Sequence, residues 1–333
     1  MKKKNIMKAG FAALAVPAML LTTACGDKVE TIDVNRYTEL LHESAQEWLS
    51  AQRDYKTYND TTTEMKASVI CKSKEEVTYK ESAEGEFVTK EFDGSITVDA
   101  KQRIMINRDE TENGAVAVQV VQEITTVTKG KQANSETDLL EDYERTDVSN
   151  VTHTLVKVGE DYKYFKLRTS SIKETGEEEV KQEQKLVHTF ANADEFKDAV
   201  QSVINEHNNE AVSSFYNNTP DTYLTLKPEF YEGEDAFGFK NGTYSAIESE
   251  GYGYEIDVEY TNVETSCEFK GNKPSSTSSK VKMNTLDNTT DINMSATIAH
   301  VAETISAPAN ASEYEDDYLS TSDLIANIYE FMG

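Results

Sequence analysis

The sequence has few of the residue patterns that mark an enzyme or a metal centre. It contains no Gly-x-Ser-x-Gly elbow, Gly-x-Gly-x-x-Gly turn or Walker-type loop, which are typical of acyl hydrolases and nucleotide-binding enzymes. Its five histidines are scattered, and neither His-Glu-x-x-His nor Cys-x-x-Cys occurs. We therefore predict that the protein is not an enzyme, has no catalytic residues and needs no metal or cofactor.

One short motif is an exception. Ser170-Ser171-Ile172-Lys173 has the Ser-x-x-Lys spacing of penicillin-recognising enzymes, in which the serine opens a helix so that the lysine can reach it. Here the tetrapeptide ends a predicted strand, and neither Ser-Asp-Asn nor Lys-Thr-Gly follows it. We interpret the match as chance.

Positive charge is scarce. The chain has 33 Lys and Arg against 60 Asp and Glu, a net charge of −27. Without the four lysines of residues 1–24, 29 basic and 60 acidic residues remain, a charge of −31. Such a surface repels nucleic acids and anionic lipid headgroups, so we exclude a nucleic-acid partner. Any attachment to a membrane must then come from a lipid rather than from basic side chains.

Cysteine is scarce too, with three residues in the chain. Cys71 and Cys267 each lie on the more apolar side of an alternating segment. A disulfide between them is compatible with an oxidising compartment, but two buried thiols explain the pattern equally well. The sequence leaves both alternatives open.

The N-terminal segment has the organisation of an export signal. Four lysines within the first eight residues precede an apolar run from Ala9 to Leu21, which is too short for a transmembrane helix. No later segment approaches the length of a membrane span. We therefore expect export, and the run ends on the small residues that lead directly into Cys25.

The residues from Leu20 to Gly26 resemble the lipobox of bacterial lipoproteins, although Thr22 stands where that family usually has leucine. The resemblance implies that the Cys25 thiol receives a diacylglyceryl group and that a dedicated peptidase removes residues 1–24. Residues 25–34 would form the lipidated cysteine and its tether. The expected location is the extracytoplasmic face of the cell membrane, and the alternative is a secreted protein in which Cys25 is incidental.

Hydrophobic periodicity predicts the order helix, strands, helix, strands, helix. Helical spacing predicts helices over about 36–53, 192–207 and 320–332, with Asn35, Asn192 and Ser320 as N-caps. Alternating segments joined by short turns fill 64–190 and resume near Tyr223, which favours antiparallel pairing. We predict a single α+β domain over residues 35–333, with halves at about 35–191 and 192–333 and a large curved antiparallel sheet.

Three finer expectations accompany this scheme. The charged segment from Lys173 to Lys185 is expected to be a loop or a long exposed hairpin. The serine-rich segment 271–279 is expected to be a flexible loop, and a final strand is expected near Thr304–Ala307.

The candidate binding site is an apolar sheet face. The clearest alternation places aromatic and branched residues on one side of a strand and acidic residues on the other, and a later strand repeats the pattern. The residues of this face are Tyr252, Tyr254, Ile256, Val258, Tyr260, Ile292, Met294 and Ile298. They could line a ligand cavity, and the alternative is that they form a packed core under a helix.

The combination of a lipobox, an amphipathic helix and an interrupted antiparallel meander resembles the half-barrel lipid and lipoprotein carriers of the LolA and LppX type. The resemblance implies that the apolar face lines a cavity for acyl chains, with the Asn192–His207 helix as its lid. The first hypothesis is therefore a membrane-anchored carrier of a hydrophobic, lipid-like ligand. The alternative is a lipoprotein with a packed core and no ligand, whose partner is another envelope protein.

Overall fold

A computed structural model describes residues 29–54, 58–80, 87–109, 114–133, 140–216, 225–250, 254–270, 273–285, 288–299 and 305–329. The helices are α1 (Val34–Asp54), α2 (Ala193–Tyr216) and α3 (Thr321–Tyr329). The strands are β1 (Glu30–Thr31), β2 (Tyr58–Lys80), β3 (Phe87–Asp109), β4 (Gly114–Ala133), β5 (Leu140–Val158), β6 (Asp161–Glu174), β7 (Val180–Thr189), β8 (Glu229–Glu232), β9 (Ala236–Glu250), β10 (Tyr254–Lys270), β11 (Lys273–Asn284), β12 (Asn288–Ala299) and β13 (Glu315–Asp316).

The strands form one open sheet in the order β1-β8-β9-β10-β11-β12-β2-β3-β4-β5-β6-β7-β13. Neighbours are antiparallel throughout, except that β13 runs parallel to β7. The helices pack on this sheet, so the predicted α+β class with a large antiparallel sheet is confirmed. The Lys173–Lys185 segment is part of the β6–β7 hairpin, whose turn contains Gly176 at φ 81°.

The two halves of the chain join through β12 and β2. These strands pair without a register shift over twelve residue pairs, with Ile292 opposite Ala67. Every other antiparallel neighbour among β2–β7 and β8–β12 is consecutive in the chain, as short turns require. The β12–β2 pairing therefore makes one sheet out of two meanders.

The helix starts follow from local hydrogen bonds. The Asn192 side chain accepts from the backbone amides of Asp194 and Glu195, and the Glu195 carboxylate accepts from the Ala191 amide, so the predicted cap of α2 is confirmed. Ser320 and Asp323 exchange equivalent hydrogen bonds at α3. The predicted Asn35 cap of α1 is wrong, because α1 begins at Val34 and Asp33 accepts from the Arg36 amide at 2.9 Å.

The core has three parts. The first lies under α1 and includes Tyr37 and Val98, and the second lies under α2 and α3 and includes Ile104 and Leu324. Val98 and Ile104 are an even number of residues apart on β3, so both clusters lie on one face of the sheet. Met105 belongs to a third cluster on the opposite face.

The third cluster is covered by the C-terminal segment. Ile305 and Tyr314 pack there against Met105 and Phe165, and β13 then pairs with the edge of β7. Residues 321–329 return to the first face as α3. The end of the chain thus wraps around the β7 edge of the sheet, and this wrapping segment is called the C-terminal strap below.

Two sequence expectations are wrong. The serine-rich stretch is not a loop, because β11 begins at Lys273 and pairs with β10 and β12 on both sides, which buries Ser278 and Ser279. Ladder hydrogen bonds to two neighbours outweigh the flexibility of the composition. Residues 305–307 are not a strand, because Ile305 and Ala307 pack across the sheet face within the strap.

Candidate functional site

The structure brings four residues of the predicted apolar face into one cluster. Val258 and Tyr260 on β10 and Ile292 on β12 are buried members of the core under α1, and the partly buried Met294 on β12 packs against them. The backbones of Tyr254, Ile256 and Ile298 lie in the same two strands, but their side chains are outside the described set. Tyr252 and Cys25 lie outside the described residues.

Aromatic and aliphatic side chains of helix α1 belong to the same core cluster as this face. Tyr37 is fully buried, with its ring 4.9 Å from that of Phe230 and 5.7 Å from that of Phe239. The Tyr37 hydroxyl and the Thr265 hydroxyl are hydrogen-bonded at 3.1 Å. Leu41 follows one turn later and is also fully buried. These contacts pack α1 tightly against β8, β9 and β10.

The expected lid helix is wrong. Helix α2, which contains the predicted Asn192–His207 segment, covers the other half of the sheet, where Phe196 and Val200 pack with Val118 and Leu155. Both helices are amphipathic, and periodicity within a helix does not encode which strands it covers. The pairing of α1 with β8–β11 depends on contacts between residues more than 190 positions apart, such as Arg36 with Glu232.

Two depressions open to solvent lie on the sheet. One of about 400 Å³ is lined by Ser245, Ala246, Asp257, Val258, Glu259, Asn284 and Thr285. The other, of about 380 Å³, is lined by Val148, Asn150, Thr169, Ser170, Ser171, Glu179, Lys181, Gln182 and Glu183. Both depressions open widely to solvent, whereas a site for a small molecule usually buries most of the surface of its ligand.

A bidentate ion pair fastens the start of α1 to the edge of the sheet. Arg36 donates to both carboxylate oxygens of Glu232, from Nε at 3.0 Å and from Nη2 at 2.7 Å. The Ile32 amide donates to the Phe230 carbonyl beside it. Residues 30–32, which belong to the predicted tether of residues 25–34, are therefore held directly in the sheet, and no sequence motif indicated this.

A second feature that the motif search missed is a buried polar group under α3. His153 is fully buried on β5, and its Nδ1 is 2.8 Å from the Tyr164 hydroxyl. Gln122, also fully buried, donates to the Ile328 carbonyl at 2.8 Å. Burial, together with the nearby Lys166 ammonium, lowers the pKa of His153 to about 3. The imidazole is therefore neutral in the folded protein.

We expect His153 to make the protein sensitive to acid. In the unfolded chain the histidine has a pKa of about 6.5. Between about pH 6.5 and pH 3 the unfolded state therefore binds a proton that the folded state does not bind. The free energy of unfolding falls as the pH drops through this interval. Between pH 7 and pH 5 this group alone removes about 2 kcal/mol. In His153→Gln, the loss of unfolding free energy over that interval should shrink by about this amount in urea titrations. Equal pH dependence in both proteins would contradict the assignment.

The other candidate groups have structural explanations. Cys267 is a free thiol in the core, so the disulfide alternative is not realised there, and burial raises its pKa to about 12. Ser170–Lys173 lies within β6 rather than at a helix start.

Among the described ranges, no group of three or more His, Cys, Asp or Glu is arranged to hold a metal ion. Within that same part of the chain, no helix is both long and apolar enough to cross a bilayer.

Comparison with known proteins identifies no family. No family model matches the chain, and no curated protein matches it. Two solved structures show a weak likeness. The transport unit of the autotransporter AIDA-I from Escherichia coli is 8% identical, with 82% of this chain and 100% of that chain covered and a TM-score of 0.25. The translocator domain of the autotransporter NalP from Neisseria meningitidis is 9% identical, with 81% and 100% covered and a TM-score of 0.21. Scores this low carry no argument about fold or function.

Proposed function

We propose that this protein is a lipid-anchored lipoprotein on the extracytoplasmic face of the cell membrane, and that it acts by binding another envelope protein. The observation that carries the proposal is the packing of α1 on the predicted apolar face. Tyr37 and Leu41 are fully buried in the same cluster as Val258, Tyr260 and Ile292, which supports a packed core over a cavity for acyl chains. The chain then offers partners its polar sheet surface rather than an apolar cavity.

The position of β1 supports the anchor. Cys25 and Glu30 are five positions apart in the chain, so a lipid on Cys25 would hold the β1–β8 edge within about 18 Å of the headgroups. Two acyl chains are sufficient for stable attachment without a basic surface. The net negative charge keeps the rest of the domain away from anionic lipid.

The surface outside the core suits a protein partner. On the sheet face away from the helices, the exposed side chains of Lys129 and Glu144 form an ion pair at 2.8 Å. Interfaces between proteins that associate reversibly are about as polar as the rest of the surface, whereas acyl chains need an apolar lining. The carrier hypothesis of the sequence analysis stays the alternative, and the next experiment separates the two.

Val258→Trp distinguishes a packed face from a ligand cavity. Val258 is 4% exposed within the α1 core, so the larger ring overpacks the core and should lower the free energy of unfolding by about 1–3 kcal/mol. Neither the variant nor the parent should bind a fluorescent fatty acid or carry a lipid in native mass spectrometry. Val29→Trp is the matched control, because Val29 is 63% exposed and the change there should cost little. Fatty-acid binding by the parent that Val258→Trp abolishes without loss of stability would favour the carrier.

A further inference from the structure

The outer edge of β7 is unpaired over half its length. β13 pairs only with Leu186 and Val187, whereas residues 180–184 of β7 are exposed. An exposed strand edge is a template for pairing with another strand. This edge lies at the opposite end of the sheet order from β1, so pairing there would not compete with an anchor at Cys25.

The direction of its backbone groups follows from two hydrogen bonds. The Phe190 amide donates to the Tyr162 carbonyl of β6, and the Asp317 amide donates to the Val187 carbonyl from the other side. These directions alternate along a strand. The backbone amides and carbonyls of even-numbered β7 residues therefore point towards β6, and those of odd-numbered residues point away from the sheet. The amides and carbonyls of Lys181 and Glu183 therefore point out of the sheet, where no described strand pairs with them.

The side chains at the same positions alternate in charge. Glu179, Lys181, Glu183 and Lys185 occupy every second position and so share one face of the edge. Along one copy the charges run acid, base, acid, base. In an antiparallel second copy they run in the opposite order, base, acid, base, acid. An antiparallel copy of the same edge thus places unlike charges opposite each other.

We propose that two copies of this chain associate by antiparallel pairing of their β7 edges, centred on Gln182. Lys181 of one copy then lies opposite Glu183 of the second copy, and Glu179 lies opposite Lys185. These are outward-facing positions, so each Lys181–Glu183 pair exchanges two backbone hydrogen bonds. Gln182 lies opposite its own counterpart at a position without ladder hydrogen bonds. The symmetry is that of a two-fold dimer, in which each surface meets itself.

The existing ion pairs do not oppose this arrangement. Lys181 now pairs with Glu179 at 3.0 Å, and Lys185 pairs with Glu183 at 2.7 Å and with Glu313 at 2.8 Å. The Lys181–Glu179 pair is exposed, so exchanging its carboxylate for one of the second copy costs little, and the more buried Lys185 keeps its bond to Glu313. The new neighbours are again of opposite charge, and no lysine is left among like charges.

An exposed apolar pair lies beside the same edge. Ile172 and Val180 are cross-strand neighbours, 41% and 56% exposed, and they are two of the five large apolar side chains that are exposed in the described part of the chain. Val180 would lie opposite Gln184 of the second copy, whose side chain would cover part of it. The contact is short, so confinement of both copies to a membrane would favour it through effective concentration.

Disulfide trapping of the full chain in its membranes tests the register. Copies of Gln182→Cys would have Cα atoms about 4.5 Å apart, which suits a disulfide. Copies of the control Gln184→Cys would be about 13 Å apart, which does not. We expect at least tenfold more cross-linked dimer for Gln182→Cys than for Gln184→Cys or the parent chain. A mixture of Val180→Cys and Gln184→Cys should cross-link where neither does alone. Equal trapping at positions 182 and 184, or capture of a different protein by Gln182→Cys, would overturn the proposal.

Charge exchange in the Gln182→Cys background tests the recognition. Lys181→Glu alone, or Glu183→Lys alone, should reduce the cross-linked fraction at least fivefold by placing like charges opposite each other. The double exchange restores unlike pairs and should restore cross-linking. These side chains are exposed, so the melting temperature should stay the same and separate lost association from misfolding. Failure of the double exchange to recover would refute the pairing, and it would leave the proposed anchor and envelope partner untouched.

Discussion

Cys25→Ser should abolish lipid labelling of the protein. If the Cys25 thiol is the site of attachment, the serine hydroxyl cannot replace it, because the thiolate is far the stronger nucleophile. Cells fed a labelled fatty acid should then mark the parent chain but not the variant, and the variant should migrate as a larger precursor that retains residues 1–24.

The matched control is Cys267→Ser. The Cys267 thiol is fully buried in the core, so its replacement should leave the fatty-acid labelling of the protein unchanged. Equal labelling of the parent chain and Cys25→Ser would remove the lipoprotein assignment. It would leave the packed core under α1 unaffected, because that part rests on separate residues.

Leu41→Ala should lower the free energy of unfolding by about 2–5 kcal/mol, the range for removing a large aliphatic side chain from a filled core. Leu41 is fully buried on α1, in the same core cluster as Val258 and Ile292. Urea or guanidinium titration measures the difference. The control is Gln46→Ala on the exposed side of the same helix, which should change stability by less than about 0.5 kcal/mol.

The size of this loss also bears on the function. A cost below about 1 kcal/mol would mean that Leu41 borders empty or exchangeable space, since truncation next to a cavity removes fewer contacts. That outcome would contradict the packed-core proposal and return the carrier to first place. A large cost together with no fatty-acid binding supports the proposed protein-binding function.

Local chemistry made much of the fold predictable. The hairpins follow from strict alternation and short turns, and the caps of α2 and α3 follow from Asn192 and Ser320 with acids three residues later. The Asn35 prediction failed because Asp33, two positions earlier, is an equally good cap. The β11 prediction failed because serine composition describes an isolated segment, not one held between two neighbours.

Contacts between distant parts of the chain were beyond sequence reasoning. The apolar face of Val258, Tyr260 and Ile292 was identifiable from its period, but the identity of its cover was not. An apolar stripe predicts that one side of a helix packs against the rest of the protein, but not which strands it packs against. Both α1 and α2 carry such a stripe. The position of α1 over its strands depends on the ring contacts of Tyr37 and on its hydrogen bond to Thr265. These partners are distant in the sequence, so the sequence alone does not reveal them.

The junction between β12 and β2 has a consequence for how the protein matures. About 200 residues separate the end of β2 from the start of β12, so β2 is synthesised long before the strand that completes it. Until then its outer edge is open to strands of neighbouring nascent chains. The β2 sequence carries Lys66, Lys72, Lys74, Glu75 and Glu76, charges that discourage such encounters. We therefore expect a slow last folding step, in which β12 pairs with β2 and joins the two meanders into one sheet. Before that step the charged β2 edge should protect the intermediate from aggregation.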